Sequence, residues 1–557
     1  MNNKFYLVFI EIIFTILVVI GIKWGLPSKE IKALYFSDEK QLNQILQEVK
    51  SIDVKKSWEV SKKKDELPRS YFNLLRSFHP DEEIIIKSLS NMNPKKFDFN
   101  PHYFVYPAFY TYIVGGTLYF LYILKLIKLT PDINFYFFHP DEIAKFYLTG
   151  RIITLISAII LILFVYKIGN KFKNKNGFLS AFLIAFTPLF LINSHYMTLD
   201  ITMLLFAIIS FFYALKFIEF KNTKYLYIAS IFAGFSGGVK YPGIFIWGII
   251  PFALFIKNGR KSFKEKAIYI SLIITIVSFF IVNPYIIIDY PEFKRDLLSL
   301  MSDRTFSFNL FHNIKCSVMN FMIGGKNGLG FLLLSLCIIS FIYSLFKIRE
   351  KIVLISLIGF FLMIFPTFLT SGVKYARYYL PSFVFLLLLS SNFLKNLSIK
   401  FLKLGTLLSA VFLLSPFLKT LAYANLFHQK DVRILAGEYI NNNFEKETTF
   451  IFLKSPWIFE VPPIDNSKYK IRTLQEKKLE KLVKGEYFIV GELEYFLTSG
   501  SRKEKREIFE EEMESKGIKL IKFFKKEPKI FGINYYEDIV IHDILYPQPT
   551  ILLFEKK

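Results

Sequence analysis

GLGFLLLSLCIISFIYSLFKIREKIVLISLIGFFLMIFPTFL, residues 328–369, holds two apolar runs parted only by Lys347-Ile348-Arg349-Glu350-Lys351. Each run approaches the ~20 residues that cross a bilayer as a helix. The same signature, nearly free of charge, recurs at 5–20, 152–166, 178–192 and 267–282. A soluble chain of 557 residues would make several domains of roughly 150 residues each, whose cores need no apolar runs this long. The chain therefore reads as a polytopic α-helical membrane protein.

Composition has to be read in that light. The sequence is 53% hydrophobic and carries 70 Lys+Arg against 46 Asp+Glu, a net charge of +24. Cytoplasmic loops of membrane proteins collect Lys and Arg without any nucleic-acid partner, so the charge predicts no binding of DNA or RNA. Cys316 and Cys337 are the two cysteines, and neither a disulfide framework nor a zinc spacing is present. The first apolar stretch follows Lys4 and lacks a small-residue cleavage pattern, which reads as a retained anchor and first span.

Lysine-rich loops fall at alternate connections: 167–175, 216–224, 257–266, 347–351 and 395–403. Placing all five inside with the N-terminus sets spans near 5–22, 147–166, 177–195, 201–218, 225–241, 242–256, 267–287, 328–346, 352–370, 378–394 and 404–422. That is about eleven helices, with the segment after residue 425 outside. Residues 103–129, aromatic and broken by Gly115-Gly116, are long enough to cross, but a crossing there would invert every later loop. They read as an interfacial or re-entrant helix of the first outer loop, 25–146. The division is a membrane domain over 1–424 and a soluble outer domain over 425–557. In the latter, strand-length apolar runs (449–453, 487–490, 539–542, 550–554) mix with helical patterns at 431–444 and 502–515, an α/β signature.

On this topology four cations break the rule that placed the others: Arg151, Lys240, Lys374 and Arg377 stand at outer helix ends. A cation beside apolar helices needs an anionic partner to offset its desolvation, and a lipid phosphate supplies one; snorkelling, or pairing with an acid such as Asp200, would also satisfy it. Acids gather on the same face, in Phe78-His79-Pro80-Asp81-Glu82, in Asp98-Phe99-Asn100-Pro101, and in His195 to Asp200. A carboxylate held at an apolar interface can accept a proton from an attacking hydroxyl. Pro followed by Asp and Glu is equally a helix start, and His139-Pro140-Asp141-Glu142 repeats the pattern.

Taken in order, HPDEEIIIKSL with DFNPHYFVYP, LTGRIITLISAIILILFVYKIGNK, FTPLFLINSHYMTLDITMLLFAIISFFYALK, AGFSGGVKYPGIFI, NPYIIIDYPEFKRDL, KYARYYLPSFVFLLL and NLFHQKDVRILAGEYINNNF carry a resemblance. The set resembles the polyprenyl-phosphate-dependent membrane glycosyltransferases with the GT-C fold, including the protein O-mannosyltransferases and lipid A aminoarabinose transferases. No single piece is specific; the ordered set is.

The resemblance implies transfer of a sugar from a polyprenyl-phosphate carrier to an acceptor hydroxyl, in a protein, lipid or glycan, at the outer leaflet. By position, Asp81 is the implied base with Glu82 as its partner. Lys240 and Arg377, with Arg151 and Lys374 behind them, would hold the leaving phosphate. His79, His195, Asp200, Tyr241 and Tyr378 would support the pocket. No nucleotide loop is present or needed. His79 with Asp81 is weak as a metal pair, so no cofactor is required and metal-independent chemistry is preferred. The Lys-rich insertion 25–77 departs from the compact family outline and reads as helix plus solvated charge. A transporter or flippase, or a polymerase or ligase of lipid-linked glycans, remains the alternative. The former would place charges mid-helix in related halves, and the latter would not require the Asp-Glu loop.

Overall fold

A computed structural model describes residues 3–49, 71–303, 309–369, 375–474, 482–497 and 499–557. Lys374 and most of the insertion after residue 49 lie outside the described residues. The chain divides into two units. One comprises 1–22, 84–117 and 150–424; the other comprises 23–83, 118–149 and 425–557. Much of the first outer loop thus clusters with the C-terminal segment rather than with the helices it interrupts.

The first unit is helical because its apolar runs leave no partner for backbone polar groups except the chain itself. The expected spans fall on helical segments, with 177–195 divided between two helices and 242–256 begun by the 3-10 stretch Tyr241–Gly248. Among the described residues six helices are long and apolar enough to cross a membrane, or up to seven if one bent pair counts as a single span, against the eleven expected; the others are shorter helices. That pair, Gly177–Ala185 and Pro188–Ser194, turns by 64°. Pro188 lacks an N–H and disfavours helical backbone at Thr187, which ends the first segment there. Phe109–Ile123 is a helix of 15 residues, about 22 Å at 1.5 Å per residue and short of the ~30 Å hydrocarbon core.

Two longer helices fall outside the expected spans, Tyr290–Asp303 and Leu310–Leu329. The second turns its polar side chains inward: Asn313, Ser317 and Asn320 are buried, while Phe311, Val318, Met319 and Met322 are exposed. Ser317 Oγ donates to Thr367 Oγ1 at 2.6 Å. Mean hydropathy averages these opposed faces away.

The second unit is built on a five-stranded sheet in the order β2-β1-β3-β9-β5. The strands of this unit are β1 Thr449–Phe452, β2 Lys470–Thr473, β3 Tyr487–Gly491, β4 Ser499–Ser501, β5 Ile518–Phe524, β6 Lys529–Ile530, β7 Ile533–Asn534, β8 Ile539–Ile541 and β9 Ile551–Lys556. β1 runs parallel to β2 and β3, and β9 antiparallel to β3 and β5. Alternation sorts the side chains. Phe450, Phe452, Ile489, Ile551 and Leu553 meet Val432, Ala436 and Ile440 of helix Val432–Asn443. Ile451, Phe488, Val490, Leu552 and Phe554 meet Phe509 and Met513 of helix Arg502–Ser515. With both faces covered, each buried aromatic or aliphatic side chain contributes ~1.5–3 kcal/mol of burial.

The first outer loop joins this unit through backbone partners. Asn441 Nδ2 donates to Leu34 O at 2.9 Å and Asn466 N to Tyr35 O at 2.8 Å. The insertion is helical where described, over Lys29–Tyr35 and Glu39–Val49.

Candidate functional site

Helix Lys224–Val239 stops at Lys240, whose backbone is extended (φ −151°); Pro242 has no N–H to bond the Gly238 carbonyl, and its ring would clash with that carbonyl if the helix ran on. The chain then turns tightly, Gly243 N donating to Lys240 O at 2.8 Å. The turn needs glycine at 243: an added Cβ would lie 2.5 Å from Ser236 O. SGGVKYPG is thus a device for ending a helix with a lysine at a fixed place.

That lysine meets an acid from the preceding helix. Asp200 sits in the first turn of Leu199–Phe220, where a carboxylate complements the helix dipole. Lys240 Nζ is 2.6 Å from Asp200 Oδ1, and Arg377 Nε is 3.9 Å from Asp200 Oδ2. Arg377 is supplied by a short 3-10 turn, Ala376–Tyr379, ahead of helix Leu380–Lys400. All three side chains are buried. Tyr378 lies beneath the Lys240 ammonium at 4.9 Å, and Tyr375 beneath the Arg377 guanidinium at 4.3 Å. Tyr241 donates to Phe104 O at 2.7 Å.

Asp200, Lys240, Tyr241, Arg377 and Tyr378 line a cavity of about 560 Å³, otherwise walled mostly by apolar side chains such as Met203, Phe245, Phe279, Phe280 and Met363. Two cations against one carboxylate leave this trio one positive charge in excess, in low dielectric, where a fixed charge acts strongly.

Two stretches far apart in sequence are stitched together beside this cluster. Asn100 Nδ2 donates to Asp289 Oδ2 at 2.7 Å, Phe104 N to Asp296 Oδ2 at 2.8 Å, and Phe99 N to Tyr285 OH at 3.0 Å. DFNPHYF is therefore held by NPYIIIDYPEFKRD. Here lies the one group of three potential metal ligands among the described residues: His102, Asp289 and Glu292. His102 Nδ1 is 2.7 Å from Glu292 Oε2. Neither His79 nor Asp81 belongs to it.

Other expected site residues sit elsewhere. Arg151 is fully buried, donates through Nη1 to Ile22 O at 2.8 Å, faces the Tyr196 ring at 6.0 Å, and is not among the cavity's lining residues. His195 Nδ1 is bonded to Leu191 O at 2.9 Å and likewise does not line the cavity.

His79, Asp81 and Glu82 belong to the second unit. Both HPDE copies are helix starts, Pro80–Asn91 and Pro140–Gly169, so the capping reading holds for each. Asp81 is half-buried, its backbone N donating to His79 Nδ1 at 3.2 Å. Glu82 is fully buried and accepts from Ser77 Oγ at 2.5 Å. Glu83, passed over in the sequence, pairs with buried Arg76 at 2.9 Å.

Arg433 was also missed. Its guanidinium, fully buried, bonds both oxygens of Asp431 and the carbonyls of Phe459 and Tyr546, and lies over the Phe78 ring at 4.3 Å. In sequence it is one lysine-rich tail's arginine among many cations. An Asp-x-Arg at a helix start was the available signal.

Apolar helices that bring a buried cation–carboxylate cluster to an apolar cavity, with a doubly covered α/β sheet in the other unit, define a polytopic membrane protein with a charged cluster at the wall of that cavity. Residues 146–287 match the family model for dolichyl-phosphate-mannose-protein mannosyltransferases. The resemblance to polyprenyl-phosphate-dependent membrane glycosyltransferases is borne out over that segment, which contains Arg151, Asp200, Lys240 and Tyr241. No curated protein sequence matches. Among solved structures, ArnT from Cupriavidus metallidurans bound to undecaprenyl phosphate is similar at 11% identity and TM-score 0.41, over 87% of this chain and 96% of that one. The Archaeoglobus fulgidus oligosaccharyltransferase in complex with Zn and sulfate is similar at 12% and 0.42, over 72% and 59%.

Proposed function

We propose that the protein transfers a sugar from a polyprenyl-phosphate carrier to an acceptor hydroxyl at the extracytoplasmic leaflet. The observation that carries this reading is the cluster in which Lys240 and Arg377 flank Asp200 at the wall of an apolar cavity. The cavity suits prenyl chain, and the two cations suit the phosphate at its end. As the acceptor oxygen bonds to the anomeric carbon, the bond from that carbon to the phosphate oxygen breaks. The charge left on the phosphate meets cations already in place, which is where fixed charge lowers a barrier most. Asp81, carried by the resemblance as the base, takes the acceptor's proton. With cations standing at the phosphate, the step needs no metal there.

The test is transfer from a polyprenyl-phosphate sugar by the full-length chain in nanodiscs. Lys240→Met is expected to lower the rate by ~10²–10³-fold, and Asp81→Asn by ~10²–10⁴-fold, with thermal unfolding showing each variant folded. Full activity in folded Asp81→Asn would remove it as base; full activity in folded Lys240→Met would remove the phosphate site.

A further inference from the structure

The C-terminal segment contains a two-stranded hairpin whose chemistry the transfer reaction does not use. β6 and β7 pair Lys529 with Asn534 and Ile530 with Ile533, leaving Phe531-Gly532 as a two-residue turn. Both turn residues have positive φ, 49° and 79°. Turns of this kind favour Asn or Asp before the glycine, since those side chains tolerate the left-handed region, and a bulky aromatic there is strained. This turn nevertheless carries Phe531, 80% exposed, beside Ile533 at 51%. Local preference and the hydrophobic effect both oppose the choice, so something outside the fold of the unit must reward it.

Position and charge say what that is. Asn425, in the last turn of the apolar helix Leu402–His428, donates through Nδ2 to Lys529 O at 2.9 Å. Lys526 Nζ donates to Lys430 O at 2.6 Å, two residues past the same helix. The hairpin is therefore tied to the C-terminal end of the last apolar helix, the part of such a helix that meets the headgroups when it crosses a bilayer. Over 522–538, Lys522, Lys525, Lys526 and Lys529 stand against Glu527, Glu537 and Asp538, with Lys525 paired to Glu527 and Tyr535 and Tyr536 following the hairpin. Apolar tip, tyrosines and lysines form the composition of an interfacial anchor. Its base is set: Tyr535 N donates to Pro528 O at 2.8 Å and Asn534 bonds Glu527, so the tip is presented on a formed element.

We propose that the β6–β7 hairpin is a lipid anchor, with Phe531 and Ile533 entering the headgroup layer of an anionic membrane and exposed Lys529, on the hairpin itself, against its phosphates. This does not depend on what the transferase site takes as donor.

The test uses the full-length chain in nanodiscs of phosphatidylcholine with or without phosphatidylglycerol. Phe531→Cys, Ile533→Cys and the solvent-facing control Glu507→Cys are each made in a Cys316→Ser, Cys337→Ala background and labelled with NBD. Probes at 531 and 533 are expected to shift to the blue and to be quenched by doxyl-labelled lipid, more strongly with the anionic lipid; the probe at 507 does neither. Emission at 531 and 533 matching that at 507 would overturn the proposal. So would a blue shift untouched by doxyl lipid, which would mean a protein neighbour. Equal quenching in neutral and anionic bilayers would overturn the choice of an anionic surface.

Discussion

Asp200 offers Oδ1 to Lys240 and Oδ2 to Arg377, so one carboxylate positions both cations. In sequence, Lys240 stood out because it broke the charge rule of its loop, and Asp200 was visible as a helix-start acid. Their pairing was weighed only as a way to make the cation unremarkable. The structure joins the two readings: pairing positions the lysine, and Arg377 supplies the excess charge. Arg433 is the contrasting case, a cation whose partners are all internal. Arg433→Met leaves Asp431 buried and uncompensated, a loss of ~3–5 kcal/mol. Arg433→Lys does not restore it, because an ammonium cannot span both carboxylate oxygens and two carbonyls at once. Thermal unfolding of both variants, with hydrogen exchange around residues 78–83, reads this; exchange there at the wild-type rate would contradict it.

Among elements, β3 and the turn after it show what packing does to a titrating group. Glu494, in the turn Glu492–Tyr495, is buried and accepts from Gly491 N at 2.9 Å. Burial first, and the nearby Glu460 carboxylate second, push its pKa up to about 8, while Lys454 and the Gly491 N–H pull the other way. The folded state thus keeps a proton that the unfolded chain gives up near the ordinary carboxylate value of 4.5. Stability from this group is complete below 4.5, declines as pH rises towards 8, and levels off above it. Glu494→Gln, which keeps the acceptor for Gly491, is expected to flatten that decline in thermal unfolding measured across the interval. An unchanged slope would mean the carboxyl ionises normally. Strands β1, β3, β8 and β9 were legible because their apolar runs are short and uninterrupted. β5, Ile-Lys-Leu-Ile-Lys-Phe-Phe, was not: it is a sheet-edge strand, and its lysines interrupt the run. Helix Leu310–Leu329 was lost for the opposite reason, its polar face being the buried one.

At the scale of the whole molecule, the apolar segments picked out in the sequence are helical, because a bilayer imposes apolarity on each helix regardless of contacts. Six of them, or seven with the bent pair, are long enough among the described residues to cross one. The sequence placed the domain boundary by chain order and so grouped the first outer loop with the helices. Tertiary partners such as Asn441 with Leu34 and Asp465 with Ser37 assign 23–83 to the C-terminal unit, and no local pattern encodes them. The same limit applied to the site: residue types and helix ends were legible, the cavity was not.

The central claim is that Lys240 and Arg377 hold a lipid phosphate, and binding tests it without knowledge of sugar or acceptor. Native mass spectrometry of the purified full-length chain with added polyprenyl phosphate measures retention of one lipid per chain. Lys240→Met and Arg377→Met are each expected to weaken retention at least ~10-fold, the loss of one hydrogen bond to an ion worth ~1.5–3 kcal/mol. Retention at the wild-type level in both folded variants would contradict the account.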